Sequence, residues 1–205
     1  MFPATGYCAA AFCRLERRDI AVGQPDDVVF MICLRDRPSY VRRLGGKELK
    51  LAVYAALCPE GAEHDLAYRL LALAAERELG LHPLPEIARE AGGKPFFPGC
   101  PEICFNLSHS HGAAVCALHD KPVGIDVEKL RPAPKRLASG MEDEAFFRLW
   151  TAKEATVKRR GQGIGALLRP LEPDPLCLCV EGLLEGYVVT VCPSEDTEIR
   201  AVRIE

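Results

Sequence analysis

The sequence predicts an α+β protein made of two halves, each a long helix laid on a mostly antiparallel sheet. Two features carry that reading. Segments 64–79 and 142–160 have helical periodicity, and short apolar, strand-like runs stand before, between and after them. The order is therefore strand, helix, strands, helix, strands. No close internal sequence repeat accompanies it, so any twofold relation between the halves is structural only.

The elements follow in chain order. Segment 49–57 (LKLAVYAAL) is the first strand. Helix 64–79 is rich in Leu and Ala, and Gly80 stops it. Gly92-Gly93-Lys94-Pro95 makes a turn or loop. Three short strands follow at 103–107, 113–118 and 123–128, and the tight connection His119-Asp120-Lys121-Pro122 predicts a hairpin between the last two. Pro132 and Pro134 mark a loop. In the second helix Phe146, Leu149, Trp150, Lys153 and Val157 share one stripe, with Trp150 read as core, and Gly161 ends it. The tail holds strand candidates at 176–180, 187–192 and 199–204. Ahead of all this, 28–34 (VVFMICL) reads as a buried strand and 42–46 as a linker. The domain reading is an N-terminal extension over 1–46 with no assigned role, a first half over 47–122 and a second over 123–205.

Composition narrows the function classes. Of 205 residues 48% are hydrophobic and 27% charged, with a net charge of −3. There is no global basic field, so nucleic acid is not an expected partner, and anion binding must come from local clusters. No apolar run reaches the ~18 residues of a membrane span, and the first residues lack the basic region of a secretory leader. A cytoplasmic location with no membrane association is expected. Ten cysteines are present, and Cys33, Cys104, Cys116, Cys177, Cys179 and Cys192 sit in apolar runs, where a reduced thiol acts as a small hydrophobe. Cys8 with Cys13, or Cys100 with Cys104, lacks the paired CxxC spacing of a structural zinc site.

Three clusters carry chemistry. In Val123-Gly124-Ile125-Asp126-Val127-Glu128, strand alternation turns Asp126 and Glu128 to one face and Ile125 and Val127 to the other. Two carboxylates on one face repel unless something neutralises them, and a hard divalent cation such as Mg²⁺ does so with oxygen ligands. A solvated strand edge is the competing explanation. In Trp150-Thr151-Ala152-Lys153-Glu154-Ala155-Thr156-Val157-Lys158, Glu154 and Lys158 are four apart and share a helix face. They are either a surface ion pair or a third metal ligand (or base) beside a phosphate clamp. Phe105-Asn106-Leu107-Ser108-His109-Ser110-His111-Gly112 ends a strand in a polar cluster. Ser108 and His109 point oppositely, so an anion site or a turn cluster fits better than a nucleophilic dyad. Arg69 in the first helix and Lys94 in its turn are snorkelling or loop cations unless an anionic ligand recruits them.

Gly93-Lys94-Pro95, Phe105 to Ser110, Val123 to Glu128, and Trp150 to Ala155 with Lys158 and Gly161 occur in this order over roughly 47–205. The ordered set resembles the 4′-phosphopantetheinyl transferases of the longer, Sfp-like type. The resemblance implies that family's fold, two pseudo-twofold-related halves with the active site in the cleft between them. It implies Mg²⁺ held by Asp126, Glu128 and Glu154, and coenzyme A as donor substrate. His109 and Lys158 would face its phosphates with Ser108 nearby, Gly93, Lys94 and Pro95 would line the adenine end, and Arg69 would reach the ribose phosphate. Glu154, Lys158 and His109 are the implied catalytic residues. The implied partner is an acyl, peptidyl or polyketide carrier protein, and a monomer is expected. The sequence departs from the family's pattern where 58–63 and 129–141 are short, and 1–46 has no counterpart in it. The rival readings are a compact inactive member that binds CoA or a carrier without transfer, and a magnesium-dependent phosphohydrolase.

Overall fold

The computed structural model describes residues 49–138 and 140–205, with residues 164 and 168 described for the backbone alone. The strand expected at 28–34 and the extension at 1–46 lie outside the described residues.

The chain is α+β. In order it forms β1 (Leu51–Leu57), α1 (Glu63–Leu79), β2 (Ala88–Arg89), β3 (Pro95–Phe96), β4 (Cys104–Ser110), β5 (Ala113–His119) and β6 (Val123–Lys129). There follow α2 (Lys135–Ala138), α3 (Asp143–Arg159), a 3₁₀ turn (Ile164–Leu168), β7 (Leu178–Cys179), β8 (Tyr187–Pro193) and β9 (Ile199–Ile204). One sheet has the order β4-β5-β1-β9 and a second the order β6-β8-β7, while β2 and β3 pair alone. All pairings are antiparallel except β1 with β9.

Two expectations about strand pairing change. The hairpin is not between the strands at 113–118 and 123–128 but between β4 and β5, with Ser110 opposite Ala113. His111 and Gly112 both have positive φ, 45° and 81°, as a two-residue turn of the favoured hand requires. After β5 the chain leaves this sheet, and β6 pairs with β8 instead. The tail strand β9 returns to lie beside β1, so the sheets are not contiguous in sequence across the 122/123 boundary.

Alternation along each strand explains the layering. Leu51, Val53 and Ala55 of β1 and Ala113, Val115 and Ala117 of β5 share one core with Val123, Ile125 and Val127 of β6 and Val189 and Val191 of β8. Helix α1 packs on the first sheet through β1, β4 and β5, and α3 packs on β6 and β8. The buried residues of α3 are Phe146, Phe147, Thr151, Ala155, Thr156 and Val157. The face it buries is therefore turned from the expected stripe: Leu149, Trp150 and Lys153 are only partly buried. The reason is the small-residue surface below. A Cβ built on Gly124 would stand 1.9 Å from the Ala155 carbonyl oxygen, and Thr151 bonds Thr190 of β8 through their hydroxyls at 2.7 Å. Small residues let the helix backbone rest directly on the strand. Among the described residues no helix is long and apolar enough to cross a membrane.

The close approach at Gly124 makes a prediction. Gly124→Ala forces α3 off β6 and costs at least about 3 kcal/mol, the upper end of ordinary overpacking, because the obstacle is backbone. The midpoint of urea unfolding reads this directly; an unchanged midpoint would show that α3 does not rest on Gly124.

Candidate functional site

The two sheets meet along the edge strands β4 and β6, where side chains rather than a backbone ladder bridge them. Asn106 Oδ1 accepts from the Ile125 N–H at 2.9 Å. Two residues on, Ser108 Oγ donates to Asp126 Oδ1 at 2.7 Å. Two further on, Ser110 Oγ donates to Glu128 Oε2 at 3.0 Å. The period of two puts all three donors or acceptors on one side of β4.

Helix α3 completes the cluster. Because it sits on Gly124, the next outward position of β6, Asp126, meets its Lys158, with Glu154 one turn earlier on the same helix face. Lys158 Nζ donates to Asp126 Oδ1 at 2.6 Å and to Ser108 Oγ at 2.8 Å, and lies 3.6 Å from Glu154 Oε2. Asp126 is only 2% exposed. Its second oxygen, Oδ2, is buried with no hydrogen-bond partner. Burial, and then the Asp126 charge, pushes the Glu154 carboxyl up to about 7. Lys158 is shifted upward by its acidic neighbours Asp126 and Glu154, against the opposing effect of burial. The cluster thus holds more acid than base: one ammonium serves two inner carboxylates, and one oxygen is orphaned. A hard cation at that oxygen suits the chemistry of the donor set. As placed, however, the described residues hold no group of three or more His, Cys, Asp or Glu near enough to share an ion. Glu128 is turned to Arg131, which donates to its Oε2 at 2.8 Å and lies over the Phe147 ring.

Beside the cluster is an open pocket of about 210 Å³. Gly93, Lys94 and Pro95 form one wall, Asn106 and Leu107 another, and Glu154, Val157 and Lys158 the floor toward α3. Lys94 Nζ is strapped to the carbonyls of Val123 and Arg159 at 3.2 and 3.1 Å. Burial holds its ammonium below the usual lysine range. Of the residues expected to act together, Asp126, Glu154, Lys158 and Ser108 meet, with Gly93, Lys94 and Pro95 at the adjoining pocket. His109 does not join them: it is exposed on the opposite face of β4, its ring 5.9 Å from that of His64 in α1. Arg69 is exposed on α1 and makes no hydrogen bond or ion pair with the cluster. Asn106, Gly124 and Arg131 also help build the site, and their residue types alone do not single them out. Asn106 and Gly124 lie inside the motifs, and their period-two spacing from Ser108 and Asp126 was the available clue.

Comparison with known proteins adds to this geometry. No protein-family model matches the chain. Among curated proteins it is similar to a 4′-phosphopantetheinyl transferase of Bacillus subtilis, 35% identical over 112 residues, 46% of this chain and 50% of that protein. It is 40% identical over 100 residues to the 4′-phosphopantetheinyl transferase AcpT of Salmonella typhimurium, 40% of this chain and 52% of that protein. It is 32% identical over 88 residues to the 4′-phosphopantetheinyl transferase Sfp of Bacillus subtilis strain 168, 35% of this chain and 39% of that protein. The chain spans about half the length of the curated relatives it matches, or less. In class, it is an α+β protein that resembles the 4′-phosphopantetheinyl transferases. Within that class the likeness is to the Sfp-like type.

Removing the ammonium tests the charge balance. Lys158→Ala leaves Asp126 and Glu154 facing each other without a cation, and stability falls by about 3 kcal/mol, the low end for breaking a buried pair because Lys158 is partly exposed. Millimolar Mg²⁺ then raises the thermal midpoint more for the variant than for the parent. Equal midpoints with and without Lys158 would mean that the carboxylates are already neutralised by another route.

Proposed function

We propose that the chain transfers 4′-phosphopantetheine from coenzyme A to a serine of an acyl, peptidyl or polyketide carrier protein in the cytoplasm, releasing adenosine 3′,5′-bisphosphate. The observation that carries this reading is the meeting of Asp126, Glu154 and Lys158 beside the pocket walled by Gly93, Lys94 and Pro95. Likeness to curated 4′-phosphopantetheinyl transferases supports it.

Each residue then has a task. Asp126 and Glu154, with Glu128, would hold Mg²⁺. When bound, the ion neutralises pyrophosphate charge and polarises its oxygens. Lys158 offsets charge on the phosphates and the leaving group, a role suited to an ammonium that donates to two acceptors. Ser108 orients Asp126. Gly93, Lys94 and Pro95 line the adenine end; Lys94 shapes this wall through its two backbone bonds. His109, exposed on β4, faces the CoA phosphates and Arg69, exposed on α1, reaches the ribose phosphate, where the ligand extends beyond the pocket. Glu154, whose burial raises its proton affinity, accepts the proton of the carrier serine hydroxyl as its oxygen attacks the β-phosphorus. The P–O bond to the leaving nucleotide breaks. The protein's share is positioning and charge compensation rather than covalent chemistry. The two helix-backed sheets are read as pseudo-twofold halves of a monomer, formed by 47–122 and 123–205 with the exchange of β9.

Labelled CoA, Mg²⁺ and a panel of apo carrier proteins test the reading. Label is expected on a carrier serine. Glu154→Gln reduces transfer by at least about 100-fold, the contribution of one general base, while CoA still binds. Unchanged turnover in that variant removes Glu154 from the proton transfer. Tight CoA binding with no carrier labelled indicates a compact inactive binder, and nucleotide release without an acceptor indicates a phosphohydrolase.

A further inference from the structure

A second group of reactive side chains lies behind α3, against Ala152 and Thr156. These residues stand two positions, about 200° around the helix, from Glu154 and Lys158. Cys177 precedes β7 and Cys192 lies in β8. The β7–β8 ladder sets Leu178 opposite Val191 and Cys179 opposite Thr190. One further step in that register sets Cys177 opposite Cys192. The Val180 N–H donates to the Val189 carbonyl at 2.8 Å, so hydrogen-bonded positions alternate from there. The 177/192 position falls in the non-bonded class, where Cα atoms are about 4.5 Å apart. That separation lies within the ~4.4–6.8 Å span of disulfide-linked residues.

The sulfurs converge on one hydroxyl. Thr156 Oγ1 is 3.2 Å from Cys177 Sγ and 3.9 Å from Cys192 Sγ. As a thiol, Cys177 donates to the Ala152 carbonyl at 3.4 Å. A hydrogen bond from Cys192, helped by the Thr156 hydroxyl, holds the Cys177 thiol down to about 7 in spite of burial. Burial instead pushes Cys104, Cys116 and Cys179 up. Cys177 is half-buried and Cys192 fully enclosed. A partly exposed cysteine beside an enclosed one is the arrangement of an attacking thiol and its resolving partner.

We propose that Cys177 and Cys192 form a reversible disulfide by exchange with a low-molecular-weight disulfide of the glutathione class. The Cys177 thiolate attacks one sulfur of that disulfide, its S–S bond breaks, and one thiolate leaves. Cys192 then gives up its proton to the departed thiolate and attacks the Cys177 sulfur, expelling the second thiolate. Two protein thiols lose two electrons and two protons, and the small disulfide becomes two thiols. The new bond ties the segment that carries Asp174 to β8. The Asp174 N–H donates to Thr156 Oγ1 at 2.9 Å, and Arg159 donates to the Asp174 carboxylate. Oxidation therefore acts on the backing of α3, not on its acidic face.

The full chain is incubated at graded ratios of oxidised to reduced glutathione, alkylated, and cleaved after glutamate. Glu181 and Glu185 separate the two cysteines, and tandem mass spectrometry locates the links. A Cys177–Cys192 link is expected that reduced glutathione reverses, with Cys192→Ala halting at a persistent glutathione adduct on Cys177. A wild-type Cys177 that keeps its adduct, links elsewhere, or stays unmodified while Cys58 or Cys179 reacts overturns the proposal. The wild-type map decides the matter even if the variant does not fold.

Discussion

The contact between Gly124 and the Ala155 carbonyl is the constraint on which the site depends. A glycine has no Cβ, so α3 can lie with its backbone against β6. Strand alternation then carries Asp126 under the helix, and the helical repeat sets Glu154 and Lys158 together above it. Any side chain there would push the helix backbone away and separate the charges. Because the charges are buried, that separation would leave them unpaired rather than merely less well paired.

The charge cluster in turn depends on β4. Asn106 satisfies the Ile125 N–H, an edge donor that no backbone ladder reaches. Ser108 serves both Asp126 and Lys158. The two sheets are thus joined in two ways. An apolar core lies between their faces, and a line of short polar side chains crosses at one edge. The core supplies stability without direction, whereas the polar line sets the register of one sheet against the other at the place where the chemistry is proposed. A hydroxyl or amide that satisfies a buried partner costs little, and one left without it is expensive, so this line also resists slippage.

Much of the site was legible in the linear sequence. The period of two in 123–128 was sufficient to put Asp126 and Glu128 on one face, and the spacing of four to put Glu154 and Lys158 together. Ser108 and His109 were expected to point oppositely, and they do. Less legible were the partners of each strand. His119 to Pro122 reads as a tight turn, yet the chain there crosses to another sheet. His111-Gly112 makes the true hairpin because both residues adopt positive φ, which a short polar connection does not announce unless its glycine is weighed. The packed face of α3 also differs from the one its large apolar residues predict. The partner surface is small, so Thr151 and Ala155 bury best, while Leu149 and Trp150 remain at the margin.

The sequence by itself determined what is local: where the longer helices and strands run, which side chains share a face, and the ordered motifs that resemble 4′-phosphopantetheinyl transferases. Tertiary structure alone decided which faces meet. Strand pairing, the return of β9 to β1, the meeting of Asp126 with Lys158 and the apposition of Cys177 with Cys192 depend on contacts between residues distant in the chain. Periodicity fixes the direction of a side chain relative to its own backbone, but the identity of what it touches is set by packing of the whole molecule.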